Sequence, residues 1–105
     1  MLAKSTVEKY HKLKAEYKLT DYVFCFQNGI FFNIIREDAE RFSEILGLKK
    51  QINEDNVAYI GFPTSALEKY VGRIILNKFN IAVFGKTQSF SNREGLVLKA
   101  KYELS

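Results

Sequence analysis

One predicted β-strand carries a phenylalanine and an asparagine on the same side, next to a tight turn. In the segment I-F-F-N-I-I, successive side chains point to opposite faces of a sheet. If Ile30, Phe32 and Ile34 face the core, Phe31 and Asn33 share the opposite face. An aromatic ring two residues from an amide can stack on a nucleic-acid base while the amide hydrogen-bonds to the base edge. The competing interpretation, favoured by the pattern alone, places Phe31 beneath a helix on the second face of the sheet, so the exposure of this ring decides between them.

The other chemically capable side chains do not form a catalytic set. Cys25 lies within an apolar run, which is typical of a buried, inert thiol, and His11 falls on a predicted helix surface. One cysteine and one histidine cannot complete a four-ligand zinc site. The sequence G-K-T at 85–87 resembles the end of a P-loop, but Asn80 stands where that motif needs its first glycine. We therefore expect no enzymatic activity, no cofactor and no small-molecule substrate.

Length and charge bound the partners of this chain. Its 105 residues predict one domain over 1–105, and 47% hydrophobic residues with a single proline indicate a folded protein. No apolar run approaches a membrane span, so we expect a cytoplasmic location and no membrane partner. The net charge of +4 permits an anionic partner, and its distribution is uneven, because residues 36–60 carry six acidic and four basic side chains while the flanking segments are basic.

A β-hairpin is the clearest local element that the sequence predicts. Two aromatic and β-branched runs, Tyr22–Gln27 and Ile30–Ile35, are separated by the dipeptide Asn28-Gly29. This dipeptide favours a two-residue type I′ turn, in which both central residues need positive φ. The hairpin would bring Phe31 and Asn33 next to a sharp turn.

Three helices follow from apolar residues at helical spacing. The first begins at the capping box 5–8 (S-T-V-E), the second has the acids of 36–38 (R-E-D) in its first turn and stops at Gly47, and the third begins at a second capping box, 65–68 (S-A-L-E). Three further strands are predicted at 57–62, 81–84 and 96–104, with a loop at 86–95. The order αββαβαββ predicts an α/β fold with a mixed sheet flanked by about three helices.

Four segments, in the same order along the chain, resemble one known family. Residues 28–35 (N-G-I-F-F-N-I-I) and 37–39 (E-D-A) look like the G-D-F-Y-E-L-F…D-D-A segment of domain I of the DNA mismatch repair protein MutS. Residues 12–14 (K-L-K) are similar to the family's L-K stretch, 61–70 (G-F-P-T-S-A-L-E-K-Y) look like G-I-P-Y-H-A-V-E-N-Y, and 81–83 (I-A-V) resemble V-A-I. Together these segments cover nearly the whole chain.

The resemblance implies a mixed-sheet domain that inserts a phenylalanine beside a mismatched base and sets a glutamate against that base. Phe31 falls on the phenylalanine position and Asn33 on the glutamate position. The amide at 33 can still touch a base edge, because it both donates and accepts hydrogen bonds, but it lacks the family's negative charge. We expect weaker discrimination between mismatched and paired DNA than the family pattern implies.

The resulting hypothesis is a DNA-binding module, with mismatched or distorted duplex and other repair proteins as its partners. On charge alone, the candidate phosphate contacts are Lys49, Lys50, Lys86 and Arg93. Such contacts predict that DNA affinity falls steeply with salt concentration. The lever, clamp and ATPase regions of a MutS protein are absent from these residues, so we do not expect repair by this chain alone. The alternative hypothesis is a protein-interaction or structural domain that keeps the family fold without recognising mismatches.

Overall fold

The hairpin lies at the centre of a six-stranded mixed sheet in the computed structural model, which describes residues 4–17, 21–86 and 96–102. The sheet order is β3-β4-β2-β1-β5-β6; only β1 and β5 pair in parallel, and the other neighbours are antiparallel. The elements are α1 (Lys4–Tyr17), β1 (Tyr22–Asn28), β2 (Phe31–Ile35), α2 (Arg36–Leu46), β3 (Gln51–Ile52), β4 (Ala58–Pro63), a 3₁₀ turn (Thr64–Ala66), α3 (Leu67–Leu76), β5 (Asn80–Lys86) and β6 (Leu96–Tyr102). The predicted α/β fold with a mixed sheet is confirmed.

The sheet is covered on both faces, so its central strands are apolar on both sides. One cluster packs α1 against the sheet, and its members are Val7, Tyr10, Leu13, Phe24, Phe26, Ile35, Val57, Tyr59, Ala82 and Phe84. The opposite face packs against α2 and α3 and contains Val23, Cys25, Phe32, Ile34, Ala39, Phe42, Leu46, Ile60, Phe62, Val71, Ile74, Ile81 and Val83. Double coverage explains the nearly continuous apolar sequences of β1 and β5. It also confirms that Phe32 and Ile34 belong to the core.

The predicted type I′ turn at Asn28-Gly29 is wrong, because the turn begins one residue later in the chain. Asn28 belongs to β1 and pairs with Phe31, so the two-residue turn consists of Gly29 and Ile30. Gly29 has φ +64°, whereas Ile30 does not have a positive φ. Positive φ at the first central position alone is the type II′ pattern, in which glycine takes that position. As a result Ile30 lies in the turn, outside the core face to which alternation assigned it.

The helix ends agree with the sequence at two of four predicted signals, and one of the two is the start of α2 at Arg36, with Glu37 and Asp38 in its first turn. Gly47 ends α2 in the left-handed conformation at φ 66°, and the amide N–H groups of residues 47 and 48 bond back to the last turn. By contrast, α1 already includes Ser5, so the helix does not begin at that predicted cap. The second capping box is also wrong, because a 3₁₀ turn contains Ser65 and α3 begins at Leu67 with no side-chain cap.

The edge strand β3 was not predicted. It has two residues, Gln51 and Ile52, and both are exposed, so the segment lacks the alternation that marks a longer strand. Strands β4, β5 and β6 fall where the sequence predicts them, although residues 103 and 104 lie outside the described residues. Among the described helices, none is both long enough and apolar enough to cross a membrane.

Candidate nucleic-acid interface

Phe31 lies at the tip of the hairpin with its side chain partly in solvent. It is the first residue of β2, pairs with Asn28 on one side and Pro63 on the other, and is 46% exposed. Phe32 and Ile34 point to the α2–α3 side, so Phe31 and Asn33 both face the α1 side, as alternation predicts. This ring is therefore not enclosed beneath a helix, and nearly half of the residue's surface is accessible to solvent.

The turn beside Phe31 is held from two directions. The N–H of Thr64, just after β4, donates to the carbonyl of Ile30 at 2.9 Å. The Gln27 side chain donates through Nε2 to the carbonyl of Gly29 at 3.1 Å. Both carbonyls of the turn are thus tied to neighbouring residues, which limits how far the tip can move.

Asn33 shares the face of Phe31 but is enclosed, with only 5% of its surface exposed. Its Nδ2 donates to the carbonyl of Ile60 on β4 at 3.2 Å. The amide reaches that carbonyl over Gly61, the cross-strand partner of Asn33, where an added Cβ would lie 2.7 Å from Nδ2. Glycine at 61 is what leaves room for this contact.

The other half of the Asn33 amide is unsatisfied. Its Oδ1 is buried and has no hydrogen-bond partner among the described residues. A buried acceptor without a partner loses its hydration and gains nothing in return, a cost of about 1–3 kcal/mol. The site thus holds one free acceptor, and it is neutral.

Lys49 and Lys50 directly precede the edge strand β3, which β4 separates from the hairpin. Both are exposed, and the next residue, Gln51, pairs with Tyr59 in β4, whereas Phe31 pairs with Pro63 at the end of that strand. In addition, Lys50 Nζ lies 3.3 Å from Glu40 Oε1, so this charge already has an acidic neighbour.

Lys86 ends β5 at the same edge of the sheet as the hairpin tip. Strand β5 runs parallel to β1 with Phe84 level with Phe26, so the backbone of Lys86 lies two residues beyond that pair, as Asn28 does in β1. The side chain of Lys86 lies outside the described part of the structure, and Arg93 falls in 87–95, also outside the described residues.

Ile30 is a surface feature that alternation missed. It is 74% exposed and directly precedes the exposed Phe31. The sequence did contain a relevant cue, because Gly29 also fits the first central position of a type II′ turn, which would place Ile30 in the loop. The tip therefore presents two large apolar side chains in succession.

The opposite end of β1 is polar. A pocket of about 420 Å³ is lined there by Lys14, Asp21, Tyr22, Val23, Glu37, Asp38, Arg41 and Phe79. Burial raises the pKa of the Asp38 carboxyl, and the positive charges of Lys14 and Arg41 oppose that rise. Because β1 is seven residues long, this pocket lies roughly 20 Å from the hairpin tip.

The two residues considered as nucleophile or base are placed as the sequence predicts. Cys25 is buried in β1, and burial raises the pKa of its thiol, which disfavours the reactive thiolate. His11 is exposed on α1 and accepts a hydrogen bond through Nε2 from Arg36 Nε at 3.1 Å. Within the described residues, no group of three or more His, Cys, Asp or Glu side chains could hold a metal ion.

Comparison with known proteins places the whole of this arrangement in one family. Residues 4–104 match the family model described as MutS domain I. The chain is similar to the DNA mismatch repair protein MutS of Thermus aquaticus, with 32% identity over 101 residues, and to that of Thermus thermophilus, with 31%. A third relative, the DNA mismatch repair protein MutS of Desulfatibacillum aliphaticivorans, is 30% identical over 95 residues. The alignment with the Thermus aquaticus protein covers 93% of this chain but only 12% of that relative.

Proposed function

This chain belongs to the MutS domain I family, and on that basis we propose that it is a DNA-binding module of the mismatch-recognition type. In this proposal Phe31 stacks on a base of a mismatched or distorted duplex. The observation that carries the proposal is the exposure of Phe31 at a hairpin tip, on the same face as Asn33. An aromatic ring that stacks on one base contributes about 1–3 kcal/mol to binding.

By its resemblance to the family motif, Asn33 falls on the glutamate position, and we propose that its Oδ1, buried in the free chain, meets the base edge once DNA binding exposes it. The Nδ2 group is already bonded to Ile60, so the unpartnered Oδ1 is the atom with capacity left for a donor. A neutral acceptor attracts a donor less than a carboxylate does. We therefore expect this module to prefer mismatched over paired duplex by a smaller factor than a domain with glutamate at this position.

Basic side chains supply the phosphate contacts in this proposal. Lys86, whose backbone ends β5 at the same end of the sheet as the hairpin tip, is one candidate, and Arg93, Lys49 and Lys50 are the others. Each neutralised phosphate releases condensed counterions, so affinity should fall steeply with salt. The position of Lys50 beside Glu40 predicts that Lys50 contributes least of the four.

The proposal concerns a module and not a complete repair reaction. The chain spans about one-eighth of the length of the first Thermus relative, so coupling of recognition to later repair steps would need other chains or further sequence. Other repair proteins are therefore proposed partners, and the cytoplasm is the proposed location because the DNA is there. We propose a binding role with no catalysis, in which neither Cys25 nor His11 takes part.

Titration of labelled duplexes tests this function. Duplexes with and without one mismatch are titrated at two salt concentrations with the parent chain and with Phe31→Ala. We expect Phe31→Ala to weaken binding about 5- to 100-fold, from the loss of one stacked base. Tyr102→Ala is the matched control, because Tyr102 is an aromatic residue of similar exposure (38%) on the outer strand β6, and its loss should leave affinity unchanged.

A protein-interaction or structural role remains the second candidate, and one observation favours it. Asn33 is enclosed and donates its Nδ2 hydrogen bond internally, as a residue that only supports the sheet would. Under this alternative, neither duplex binds at low salt. Because the Phe31 ring is half exposed, Phe31→Ala should cost less than the about 3–5 kcal/mol of a core phenylalanine under either role, so the binding titration separates the two.

A further inference from the structure

Ile30 and Phe31 are consecutive large apolar residues at the hairpin tip, and both are exposed. Large apolar side chains that are exposed singly are ordinary, whereas neighbouring ones are candidates for a contact surface. Here Ile30 is 74% exposed and its chain neighbour Phe31 is nearly half exposed. Burying an isoleucine removes its apolar surface from water, so Ile30 has binding energy to contribute that its present position leaves unused.

The tip is held ready for such a contact. The carbonyl of Ile30 is bonded to the N–H of Thr64, and the carbonyl of Gly29 to the Gln27 side chain. Gly29 supplies the positive φ that the turn requires. A contact residue that is already fixed loses little conformational entropy on binding, which favours affinity.

The charge around the tip selects the kind of contact. Residues 27–35 contain no charged side chain, so nothing in the hairpin tip repels phosphates or is attracted to them. Apolar side chains without charge fit the stacked interior of a duplex, where proteins insert phenylalanine, leucine or isoleucine between base pairs and partly unstack them.

We propose that Ile30 and Phe31 together form a two-residue wedge that enters one base step of duplex DNA. Phe31 stacks on one base, and Ile30 fills the space that opens beside it. This inference rests on the proposed function and extends it by naming Ile30 as a second DNA-contacting residue. The preferred ligand is a duplex with an easily opened step, such as one next to a mismatch or an unpaired base, because opening that step costs least.

The test uses Ile30→Ala with Ile52→Ala as its matched control. Ile52 is also an exposed isoleucine (51%), but it lies in β3, at the end of β4 away from the hairpin. The probe is a duplex with one mismatch and the fluorescent base 2-aminopurine at the adjacent step, and both affinity and fluorescence are measured. Both variants are expected to fold, because each side chain is largely in solvent.

We expect Ile30→Ala to weaken binding about 5- to 10-fold, from the lost burial of one isoleucine side chain. The fluorescence increase on binding, which reports unstacking of the step, should shrink. The fold-change in affinity caused by Ile30→Ala should be equal at low and high salt, because an apolar contact releases no counterions. Ile52→Ala should alter neither measurement.

Separate outcomes overturn the two proposals. If Phe31→Ala weakens binding while Ile30→Ala matches the parent chain, the two-residue wedge is wrong and the DNA-binding module stands. If Ile30→Ala changes only the salt dependence, Ile30 acts on phosphate contacts and the wedge is again wrong. If the parent chain binds no duplex at low salt, the proposed function fails and the wedge fails with it.

Discussion

The two ends of strand β1 differ in almost every property that governs binding. At its Asn28 end, the hairpin tip is apolar, uncharged and exposed. At its Tyr22 end, a polar pocket gathers Lys14, Asp21 and the acidic first turn of α2. An exposed apolar tip can insert into a stacked ligand, whereas the pocket contains the ion pair between Arg41 and Asp38 at 3.7 Å.

The comparison teaches that net charge is a poor guide to the binding surface of this chain. The hairpin tip lies in residues 22–35, between Asp21 and Arg36, which form the longest part of the sequence with no charged side chain. Acidic and basic side chains meet at the Tyr22 end of β1. Contacts of the tip should therefore depend on shape and stacking, and salt dependence should come from basic residues around it. Substitutions at the two ends should separate these contributions.

A charge placed near the Asn28 end of β1 should have the largest effect on stability. Asn33→Asp replaces the donor to the Ile60 carbonyl with a carboxylate oxygen in a site that is 95% enclosed. A buried charge without a partner costs about 3–5 kcal/mol, which denaturant unfolding at pH 7 would measure. The control is Asn77→Asp, because Asn77 makes the same type of bond, to the Arg73 carbonyl at 2.8 Å, at an exposed position.

The pH dependence of Asn33→Asp gives a second measurement. Burial would hold the pKa of the new carboxyl in the folded state above its unfolded value of about 3.9. The deficit in stability relative to the parent chain should then be smallest below that unfolded value and grow as pH rises through the folded value. Equal unfolding free energies at pH 7 would show that residue 33 is open to solvent.

Adding a side chain at Gly61 of β4, next to Asn33, should have an intermediate effect on stability. Gly61→Ala places a Cβ 2.7 Å from Asn33 Nδ2, so the amide must move and lose its bond to Ile60, at a cost of about 1–3 kcal/mol. Gly72→Ala is the matched control in α3, where an added Cβ has nothing within 4 Å, and it should stabilise by about 0.5–1 kcal/mol. If the contact is responsible, combining Gly61→Ala with Asn33→Ala should cost less than the sum of the two changes.

Removing the charge of Asp38, in the pocket at the Tyr22 end of β1, should have the smallest effect on stability. The raised pKa of Asp38 means that the folded state favours its protonated form, so its contribution is favourable at low pH and is lost as pH rises through the folded pKa. Asp38→Asn should therefore gain stability relative to the parent chain as pH increases toward 7, by less than about 1 kcal/mol because the pocket is open to water. Affinity for DNA should not change, and a change would show that the two ends of β1 are not independent.

How far the sequence predicts this molecule depends on whether a feature is local. The hairpin, α2 with its Gly47 stop and the apolar stripe of α3 all follow from periodicity and glycine placement, and the structure confirms them. The exact turn did not follow, because Gly29 is compatible with two turn types. The choice between them coincides with a bond from Thr64, which is far along the chain.

The candidate site likewise has a local feature that the sequence predicts and long-range features that it does not. Alternation alone predicts that Phe31 and Asn33 share a face, since successive side chains in a strand must point to opposite sides. It does not determine how much of that face is covered, and in the structure Phe31 is half exposed while Asn33 is enclosed. The partner of Nδ2 was also beyond the sequence, because Ile60 is 27 residues away and is reached over a glycine on another strand.

The sequence by itself determined the three helices, five of the six strands, the family resemblance and the presence of an aromatic ring and an amide on one strand face, because these depend on residue type and spacing along one segment. Only the tertiary structure decided which of those two side chains meets solvent and that Ile30 is exposed in the turn. These properties depend on strand register and helix placement, which join residues distant in sequence. For the same reason the chain's net charge of +4 says little about the hairpin tip, which is uncharged.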